Sequence, residues 1–428
     1  MAISQSGRAL IVEGDPPTAL SRRRAAWTRW RMNIFLLAVI AINYTWARPS
    51  PVDVLFFGAL LMTVFCNQLI NTRTFFFICL ILVWLSSVYI SSMSLTADPR
   101  VVFEMFALTS VAFIGITSCL VATAWTEREL RIFVDVYILS NVIAAVIGIL
   151  GFVAHNPDLT WADRPRAFLD DPDMFGVFLV PGILGSLFMI AEKRRRILFS
   201  AALLLLSVPV FLSFSRAAIV SAALWGGIYL GILNRHQLLR ATLSSLAFLV
   251  PLVVVVLLFA VLNDTVSHML SGRFTVAEEY DLGHFGRYNR YLLAIPMILD
   301  HPFGLGLLQI ENYFPEPIHN VWIACFLYFG WIGGLAWTLL LILSGMQAWN
   351  TWKQSRNGLC LMIFFGWLSI ISCSMLHEGE RWRFMWLLTG VLWGLNPRNF
   401  AAIPGPAHES RRVVATTKRS GDARPVVS

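Results

Sequence analysis

Charged residues are scarce in this sequence. They make up 14% of the 428 residues, whereas 57% are hydrophobic and the mean hydropathy is +0.67. Soluble domains contain roughly 25% charged residues, so this chain could not cover a surface that faces water on all sides. We therefore expect lipid to surround most of it, and we expect one membrane-embedded unit rather than several soluble domains.

Motifs for soluble chemistry are also missing. The sequence has no Walker motif, no GxGxxG pattern and no zinc-ligand spacing, which argues against a nucleotide-using module. All six cysteines fall inside apolar runs, so neither a disulfide framework nor a thiolate metal site is predicted. The acidic residues expected on the outer face are scattered, and we predict neither a metal nor a cofactor. Membrane topology and anionic lipid explain the basic tails without nucleic acid as a partner.

Long apolar runs are what the sequence does contain. A helix needs about 20 mostly apolar residues to cross a bilayer, and twelve segments fit this pattern, although the first and the last are short. The predicted fold is an all-α polytopic membrane protein with about 12 transmembrane helices. The predicted spans are Asn33–Trp46, Val52–Ile70, Thr74–Ser92, Val101–Ala124, Ile132–Ala154, Met174–Ala191, Ile197–Phe211, Ala217–Leu233, Ala241–Leu262, Val321–Trp349, Leu359–Leu376 and Phe384–Leu395.

Two tails and one loop complete the predicted organisation. Residues 1–32 are basic but lack the apolar core and cleavage site of a secretory signal, so they are predicted to be a cytoplasmic tail. Residues 33–397 form the membrane domain, and the polar residues 398–428 form a disordered cytoplasmic tail. A large loop on the outer side of the membrane, residues 263–318, lies between helices 9 and 10, and loops beyond about 15 residues are usually functional or disordered. Within it, Tyr288–Leu299 is apolar enough to form a helix at the membrane surface.

The distribution of basic residues supports this topology. With both termini in the cytoplasm, 23 of the 33 lysines and arginines fall in the tails and inner loops, as the positive-inside rule requires. The outer residues are all arginine, whose planar guanidinium can bind phosphate through two parallel hydrogen bonds. This pattern is a mild indication of an anionic ligand on the outer face. The residues are Arg48, Arg100, Arg164, Arg166, Arg216, Arg273, Arg287, Arg290, Arg381 and Arg383.

Three of these arginines have informative positions. Arg216 joins two consecutive spans with almost no loop, so it is either an anchor that snorkels to the interface or a phosphate clamp. Arg287 and Arg290 lie at i and i+3 at the start of the apolar segment of the large loop, which would put both on one helix face. A solvated loop charge is the alternative for each of these two.

His319 and Asn320 open the next predicted span. An ordinary histidine has a pKa of about 6.5 and suits a general base near neutral pH, although a capping or otherwise satisfied polar residue is the more common role at a helix start. Two histidines compete with His319. His301 precedes a proline and looks like part of a turn, while His377 lies at another outer mouth.

The order of these residues resembles a known family. A span begins with Ser-Arg at Arg216, and Arg287 precedes the run Asp-His-Pro-Phe-Gly-Leu-Gly at Asp300–Gly306. His-Asn at His319 is followed by Gly-Trp-Ile-Gly-Gly at Gly330–Gly334, whose glycine spacing by itself is typical of helix packing. This order is similar to that of the O-antigen ligase superfamily, which includes O-antigen ligases and related O-antigen and exopolysaccharide polymerases.

A second segment extends the resemblance to about residues 164–334. Arg166–Gly176 resembles the family's Arg-x-x-x-Phe-x-x-Pro-Asn segment. Asp173 stands where the family has asparagine, which removes the amide that a specific contact there would use. Arg164 and Arg166 near the start of this segment, and Asn320 beside His319, are candidate substrate contacts.

The resemblance implies a function. It implies transfer of glycan from an undecaprenyl-diphosphate donor to an acceptor hydroxyl, on a glycan or a lipid A–core, at the periplasmic face of the bacterial inner membrane. Arg216 and Arg287 match the family's functional arginines and His319 its histidine. A lipid diphosphate leaves as a stable anion, so the step needs charge stabilisation and a base rather than a general acid. Arg216, Arg287 and Arg290 would bind the diphosphate and His319 would be the base, without a metal.

Several alternatives stay open. A ligase attaches glycan to a lipid A–core whereas a polymerase joins lipid-linked repeats, and the sequence does not separate them. A glycan transporter or flippase would carry ionisable residues near the bilayer centre and two related halves, but Glu104 and Asp135 lie near span ends and no half resembles the other. A structural membrane scaffold would not need the arginines and the histidine.

Overall fold

α-Helices account for nearly all the regular structure in the computed structural model, which describes residues 19–46, 50–66, 70–233, 254 and 283–400. The strands β1 (Thr160–Trp161) and β2 (Arg164–Pro165) form an antiparallel pair in which Thr160 faces Pro165 and Trp161 faces Arg164. The all-α prediction is confirmed for the described residues. The helices are α1 (Ala19–Ile40), α2 (Pro51–Phe65), α3 (Thr72–Ser92), α4 (Pro99–Ala122), α5 (Glu127–Val153), α6 (Pro172–Ala191), α7 (Arg196–Leu212), α8 (Arg216–Leu233), α9 (Arg287–Asp300), α10 (Val321–Ser355), α11 (Gly358–Ser374) and α12 (Arg383–Gly394).

Six of the described helices are long and apolar enough to cross a membrane: α3 with the 3-10 turn that follows it, α4, α5, α6, α8 and α10. Most of α2, together with α7 and α11, forms shorter apolar helices. These helices indicate a multi-pass membrane protein. Eleven predicted spans fall on described helices, whereas Ala241–Leu262, apart from residue 254, and the first part of the large loop, residues 263–282, lie outside the described residues. The total of twelve spans and the extent of that loop therefore remain predictions.

The first helix differs most from its predicted span. It begins at Ala19 rather than Asn33, because a hydropathy pattern registers only its apolar half and not the arginine-rich half before it. It ends at Ile40, before the predicted end, since the chain turns and the N–H of Thr45 donates to the carbonyl oxygen of Phe168 at 3.1 Å.

Large aromatic side chains and close helix contacts form the centre of the bundle. Trp84 of α3, Trp337 of α10 and Trp386 of α12 are fully buried, with ring centroids 5.2 to 5.6 Å apart. Helices α4 and α12 approach so closely that a Cβ on Gly390 would lie 2.1 Å from the carbonyl oxygen of Gly115. Small residues at such crossings allow the backbone-to-backbone packing that stabilises helices in lipid.

Helix α10 is interrupted at Gly330, where a segment of the large loop docks. Gly330 has φ of +73°, a left-handed conformation that favours glycine. Beside the break, the N–H groups of Leu305 and Gly306 donate to the carbonyl oxygens of Leu327 and Tyr328 at 2.9 and 3.0 Å. Irregular backbone at membrane depth requires such partners. The interpretation of Gly330 as a helix-packing glycine is therefore wrong, because it forms a docking point for the loop.

The turns of the bundle divide into two groups. Turns of the first group contact one another, for example through the hydrogen bond from Asn320 Nδ2 to the carbonyl oxygen of Met375 (3.0 Å). We call this group the site end. Contacts such as that from Asn357 Nδ2 to Glu127 Oε2 (3.0 Å) join turns in the second, the opposite end. This division follows the predicted alternation of outer and inner loops. The site end comprises residues 41–46, 50, 93–98, 154–171, 213–215, 301–320 and 375–382, and the opposite end the turns around residues 123–127, 192–195 and 355–357.

Candidate active site

Helix α9 holds the turn in front of α10. Its Arg290 is 1% exposed and donates from Nη1 to the carbonyl oxygen of Pro317 (2.9 Å) and from Nη2 to Glu316 Oε2 (3.1 Å). The next residue, Tyr291, donates from its hydroxyl to the carbonyl oxygen of His319. Hydrogen bonds from a charged donor are stronger than neutral ones, so α9 fixes the backbone at His319. The helix predicted in this part of the large loop is confirmed.

Asn320 fixes the other side of His319. Its Oδ1 accepts hydrogen bonds from the N–H groups of Trp322 (3.0 Å) and Ile323 (3.1 Å), which is the geometry of a helix cap. Its Nδ2 donates to the carbonyl oxygen of Met375 at the end of α11. These contacts give Asn320 a positioning role, and its contact with substrate remains a prediction.

His319 itself is half-buried between these two supports. Burial and then the positive charges of His377, Arg287 and Arg290 lower the pKa of His319 to about 4, although Glu316 opposes them. The imidazole is therefore neutral at pH 7. A neutral imidazole can accept a proton, which is what a general base requires, although the surrounding cations make it a weaker base than an ordinary histidine.

Arg287 and Arg290 have different surroundings although they lie on one helix. Arg287 is the first residue of α9 and is half-buried, whereas Arg290 is fully buried one turn later. The charge of Arg287 lowers the pKa of both His319 and His377, so both rings lie within the electrostatic reach of its guanidinium. Arg290 contacts the backbone turn instead. Arg287 is thus the better placed of the two for an anion beside the imidazoles.

A second imidazole faces His319. The ring centroids of His319 and His377 lie 6.1 Å apart. Burial lowers the pKa of His377 below its ordinary value, while the carboxylates of Asp173 and Asp171 on its other side oppose that shift. Sequence reasoning leaves His377 among the competing histidines, because nothing in its local sequence relates it to His319. The charged run His-Glu-Gly-Glu-Arg at an outer mouth is the signal that favours it.

Arg164 connects this cluster to Arg216. Arg164 donates from Nη2 to Asp173 Oδ1 (2.9 Å) and from Nε to the carbonyl oxygen of Ser213 (2.6 Å). Ser213 begins the three-residue turn that leads to Arg216, which starts α8 and is half-buried. The structure therefore gives Arg164 the role of a brace between the start of α6 and the turn before Arg216.

Arg166 faces a different cavity. It donates from Nη1 to the carbonyl oxygen of Asp170 (3.3 Å) and lines an open cavity of about 580 Å³ that also includes Trp46 and Asp158. Its neighbours are the tip of the strand pair and the turn after α1 rather than the histidine pair. That Arg166 contacts substrate remains a prediction, because Arg166 does not lie beside the histidine pair.

An apolar cavity of about 620 Å³ lies between α2 and α4. Side chains such as Phe57, Phe103 and Phe106 form its walls, and these are exposed to the surroundings of the bundle. Its polar end includes Arg381 and Arg383, which follow His377 in the chain, and their partners Glu104 and Asp53. Asp170, which accepts a hydrogen bond from Thr45, completes it.

Ion pairs at that polar end tie α2, α4 and α12 together. Arg383 donates from Nε and Nη2 to the two carboxylate oxygens of Asp53 (3.1 and 2.9 Å) and from Nη1 to the carbonyl oxygen of Tyr44 (2.8 Å). Arg381 pairs with Glu104 at 2.6 Å. A carboxylate held by two guanidinium hydrogen bonds has a fixed geometry, so α12 is anchored beside the cavity.

Glu380 is the most deeply buried acid of this region. It is 1% exposed, and within the described residues its oxygens accept no hydrogen bond, although Arg381 Nε lies 3.6 Å away. Burial and then the nearby carboxylate of Glu378 raise the pKa of Glu380 to about 8, against the opposing charge of Arg381. Its side chain is therefore mostly protonated at pH 7. No group of three potential metal ligands occurs among the described residues.

Two comparisons with known proteins bear on this site. A model of the O-antigen ligase family matches residues 201–338, the segment that contains Arg216, Arg287, Arg290 and His319. A curated O-antigen polymerase from Salmonella muenchen is 25% identical over 145 residues, which cover 34% of this chain and 35% of the relative. The chain therefore matches about a third of the length of that relative. These matches confirm the resemblance to the O-antigen ligase and polymerase superfamily in the part of the chain that holds these residues.

Proposed function

We propose that this chain is a glycosyltransferase of the O-antigen ligase or polymerase type. It moves glycan from an undecaprenyl-diphosphate donor to an acceptor hydroxyl at the periplasmic face of the bacterial inner membrane, in the synthesis of a surface polysaccharide or lipopolysaccharide. The observation that carries the proposal is that His319 is neutral at pH 7 and lies within the electrostatic reach of Arg287, with both residues inside the segment that matches the family.

The chemistry of such a step fits these residues. The acceptor hydroxyl loses its proton to His319 while its oxygen forms a bond to the anomeric carbon of the donor sugar. The bond from that carbon to the diphosphate breaks, and its electron pair leaves with the diphosphate. Arg287 and Arg216 stabilise the charge that develops there, which is the largest single contribution in many enzymes. The lowered pKa keeps the imidazole of His319 unprotonated at neutral pH, and it also makes the ring a weaker base than an ordinary histidine.

The remaining predicted residues divide into two roles in this proposal. Arg290 and Asn320 hold His319 in place through Pro317 and Met375, although Arg290 is also predicted to bind the diphosphate. Arg164 holds the turn before Arg216. We assign them positioning roles, since their hydrogen bonds already go to protein atoms. No metal or cofactor enters the proposed step.

A lipid-borne donor also fits the membrane body. The prenyl chain of such a donor stays in the bilayer while its diphosphate reaches the surface. The cavity between α2 and α4 offers apolar walls toward the surroundings, with a polar end beside the turn that carries His377. The acceptor is a growing glycan for a polymerase or a lipid A–core for a ligase, and the proposal covers both.

The test uses membranes from a host that accumulates the undecaprenyl-diphosphate glycan. Wild type is compared with Arg287→Ala and His319→Ala at matched expression, and lipid-linked and transferred glycans are separated on a gel. We expect each substitution to abolish transfer while the donor accumulates on the outer leaflet. A full ladder moved onto lipid A–core identifies a ligase, whereas lengthening of the lipid-linked glycan identifies a polymerase.

Matched controls come from the same end of the bundle. Arg100 is 70% exposed in its side chain and pairs with Asp98, and His301 is exposed at the end of α9, so Arg100→Ala and His301→Ala should transfer normally. Normal transfer by His319→Ala would refute the proposal. Donor that stays on the inner leaflet in all variants would favour a flippase instead.

A further inference from the structure

Two loops that are distant in the chain bring His319 and His377 together, and both are braced. On one flank, Asn320 Nδ2 donates to the carbonyl oxygen of Met375 (3.0 Å). On the other flank, the Tyr328 hydroxyl donates to Glu378 Oε1 (2.8 Å). Each brace joins a residue near one histidine to a residue near the other, so the separation of 6.1 Å between the rings is a built feature of the site.

Tyr328 extends the second brace to the residue before His319. Its hydroxyl oxygen accepts a hydrogen bond from the N–H of Ile318 at 3.5 Å, in addition to donating to Glu378. One hydroxyl group thereby contacts a residue adjacent to each histidine. Loss of the contact with Glu378 would leave this buried hydroxyl without an acceptor for its proton.

The charges around the two rings are unequal. His319 faces the cations Arg287 and Arg290, with Glu316 as the opposing charge. His377 faces two carboxylates in addition to cations, and the ring of Trp382 lies 6.1 Å from it. The carboxylates of Asp171 and Asp173 favour a proton on His377, whereas Glu316 alone has this effect on His319. The charged groups around His377 are Asp171, Asp173, Arg164 and Arg287.

We propose that His377 is a positioning residue that receives, through one bridging oxygen, the proton that His319 takes from the acceptor hydroxyl. This inference rests on the proposed function. A distance of 6.1 Å between ring centroids is compatible with one water or hydroxyl oxygen between ring nitrogens. His377 lies outside the segment that matches the family, so the comparisons do not assign it.

The proton is conserved in this sequence of steps. It leaves the acceptor hydroxyl for a nitrogen of His319, moves through the bridging oxygen to a nitrogen of His377, and is released to water after product leaves. The diphosphate departs with the electron pair of the glycosidic bond and needs no proton. His319 is thereby returned to its neutral form for the next transfer.

The first test measures the pH dependence of transfer in the full-length protein. We expect His377→Gln to lower kcat roughly 100-fold, the lower end of what a positioned acid–base group contributes, with an unchanged KM for the donor. In wild type, a proton already on His377 prevents proton transfer from His319. The fall of the transfer rate at acidic pH, the acid limb of the profile, therefore follows the titration of the histidine pair. In His377→Gln the coupling between the two rings is lost, so the acid limb should change its position and follow the titration of His319 alone. A variant that lowers kcat without moving the limb would overturn the proposal.

The second test is rescue by a small base. His377→Ala leaves room for free imidazole, which should restore part of the transfer rate in proportion to its concentration. His301→Ala, with an exposed ring, is the control and should neither lose activity nor respond to imidazole. Loss of activity without rescue would show that His377 is only structural. If wild type transfers glycan and His319→Ala does not, a normal rate in His377→Gln refutes this inference alone and leaves the proposed function standing.

Discussion

Arginine pairs at the opposite end of the bundle are partly exposed, whereas several at the site end are buried. At the opposite end, the side chains of Arg131 and Glu127 are 24% and 48% exposed. At the site end, the side chain of Arg290 is 2% exposed, and those of Arg383 and Asp53 are 7% and 11% exposed. The same pairing of guanidinium and carboxylate therefore serves two different purposes in one protein.

The energetics of the two kinds of pair explain the difference. Exposed pairs contribute about 1 kcal/mol or less, because water screens them and their side chains lose freedom. Buried pairs lose hydration, and their gain depends on complete hydrogen bonding. Arg383 has such bonding to Asp53 and Tyr44. The site end thus uses buried charge to fix geometry, and the opposite end uses exposed charge at the membrane boundary.

The comparison predicts unequal losses of stability when a cation is removed from each end. Arg383→Ala leaves Asp53 as a buried carboxylate without its partner, and breaking such a pair costs about 3–5 kcal/mol. Arg131→Ala should cost about 1 kcal/mol or less. Thermal unfolding of both purified variants in the same detergent measures the difference. Equal losses would contradict the distinction between the two ends, and recovery of stability in Arg383→Ala with Asp53→Ala would support it.

A second prediction separates the two arginines of α9. Lysine keeps the charge but loses the planar fork, so Arg290→Lys cannot reach both Pro317 and Glu316. We expect kcat to fall about tenfold or more, since a hydrogen bond to a charged group contributes about 1.5–3 kcal/mol, while the KM for the donor stays unchanged.

Arg287→Lys is the matched variant for that prediction. Because both imidazoles lie within the electrostatic reach of Arg287, we expect its replacement to raise the KM for the lipid-diphosphate donor as well as lower kcat. Steady-state transfer with varied donor concentration separates the two effects. A raised donor KM in Arg290→Lys would instead support the prediction that Arg290 binds the diphosphate.

The sequence predicts most described helices because apolar length alone determines where a chain can cross lipid. The predicted span Met174–Ala191 and α6 share their last residue, and Thr74–Ser92 and α3 likewise. The missed features depend on contacts between distant residues. Hydropathy cannot indicate that the loop at Leu305 docks at Gly330, because the loop and the helix meet only in the folded chain.

The same holds for the site, where the sequence identifies residues but not how the fold arranges them. The order of motifs singles out Arg287 and His319, and the structure brings both into one cluster. The order of motifs does not predict that Arg290 binds the backbone, since an arginine three residues after Arg287 has the same sequence pattern whether its side chain faces ligand or protein. His377 is also missed, because only the packing of α11 beside α10 brings it opposite His319.

The last prediction concerns pH and a carboxyl of the site end. Burial and Glu378 raise the pKa of Glu380 from 4.5 to about 8, so the folded protein holds one more proton than the unfolded chain between these values. Stability from this group is complete below about pH 4.5 and is lost as the pH rises through 8. Glu380→Gln should remove this loss, so that the difference in unfolding temperature between wild type and variant changes from pH 6 to 8.5. If the unfolding temperature of Glu380→Gln depends on pH as that of wild type does, this carboxyl is charged in the folded protein at neutral pH. The site end would then hold one more buried charge than its geometry indicates.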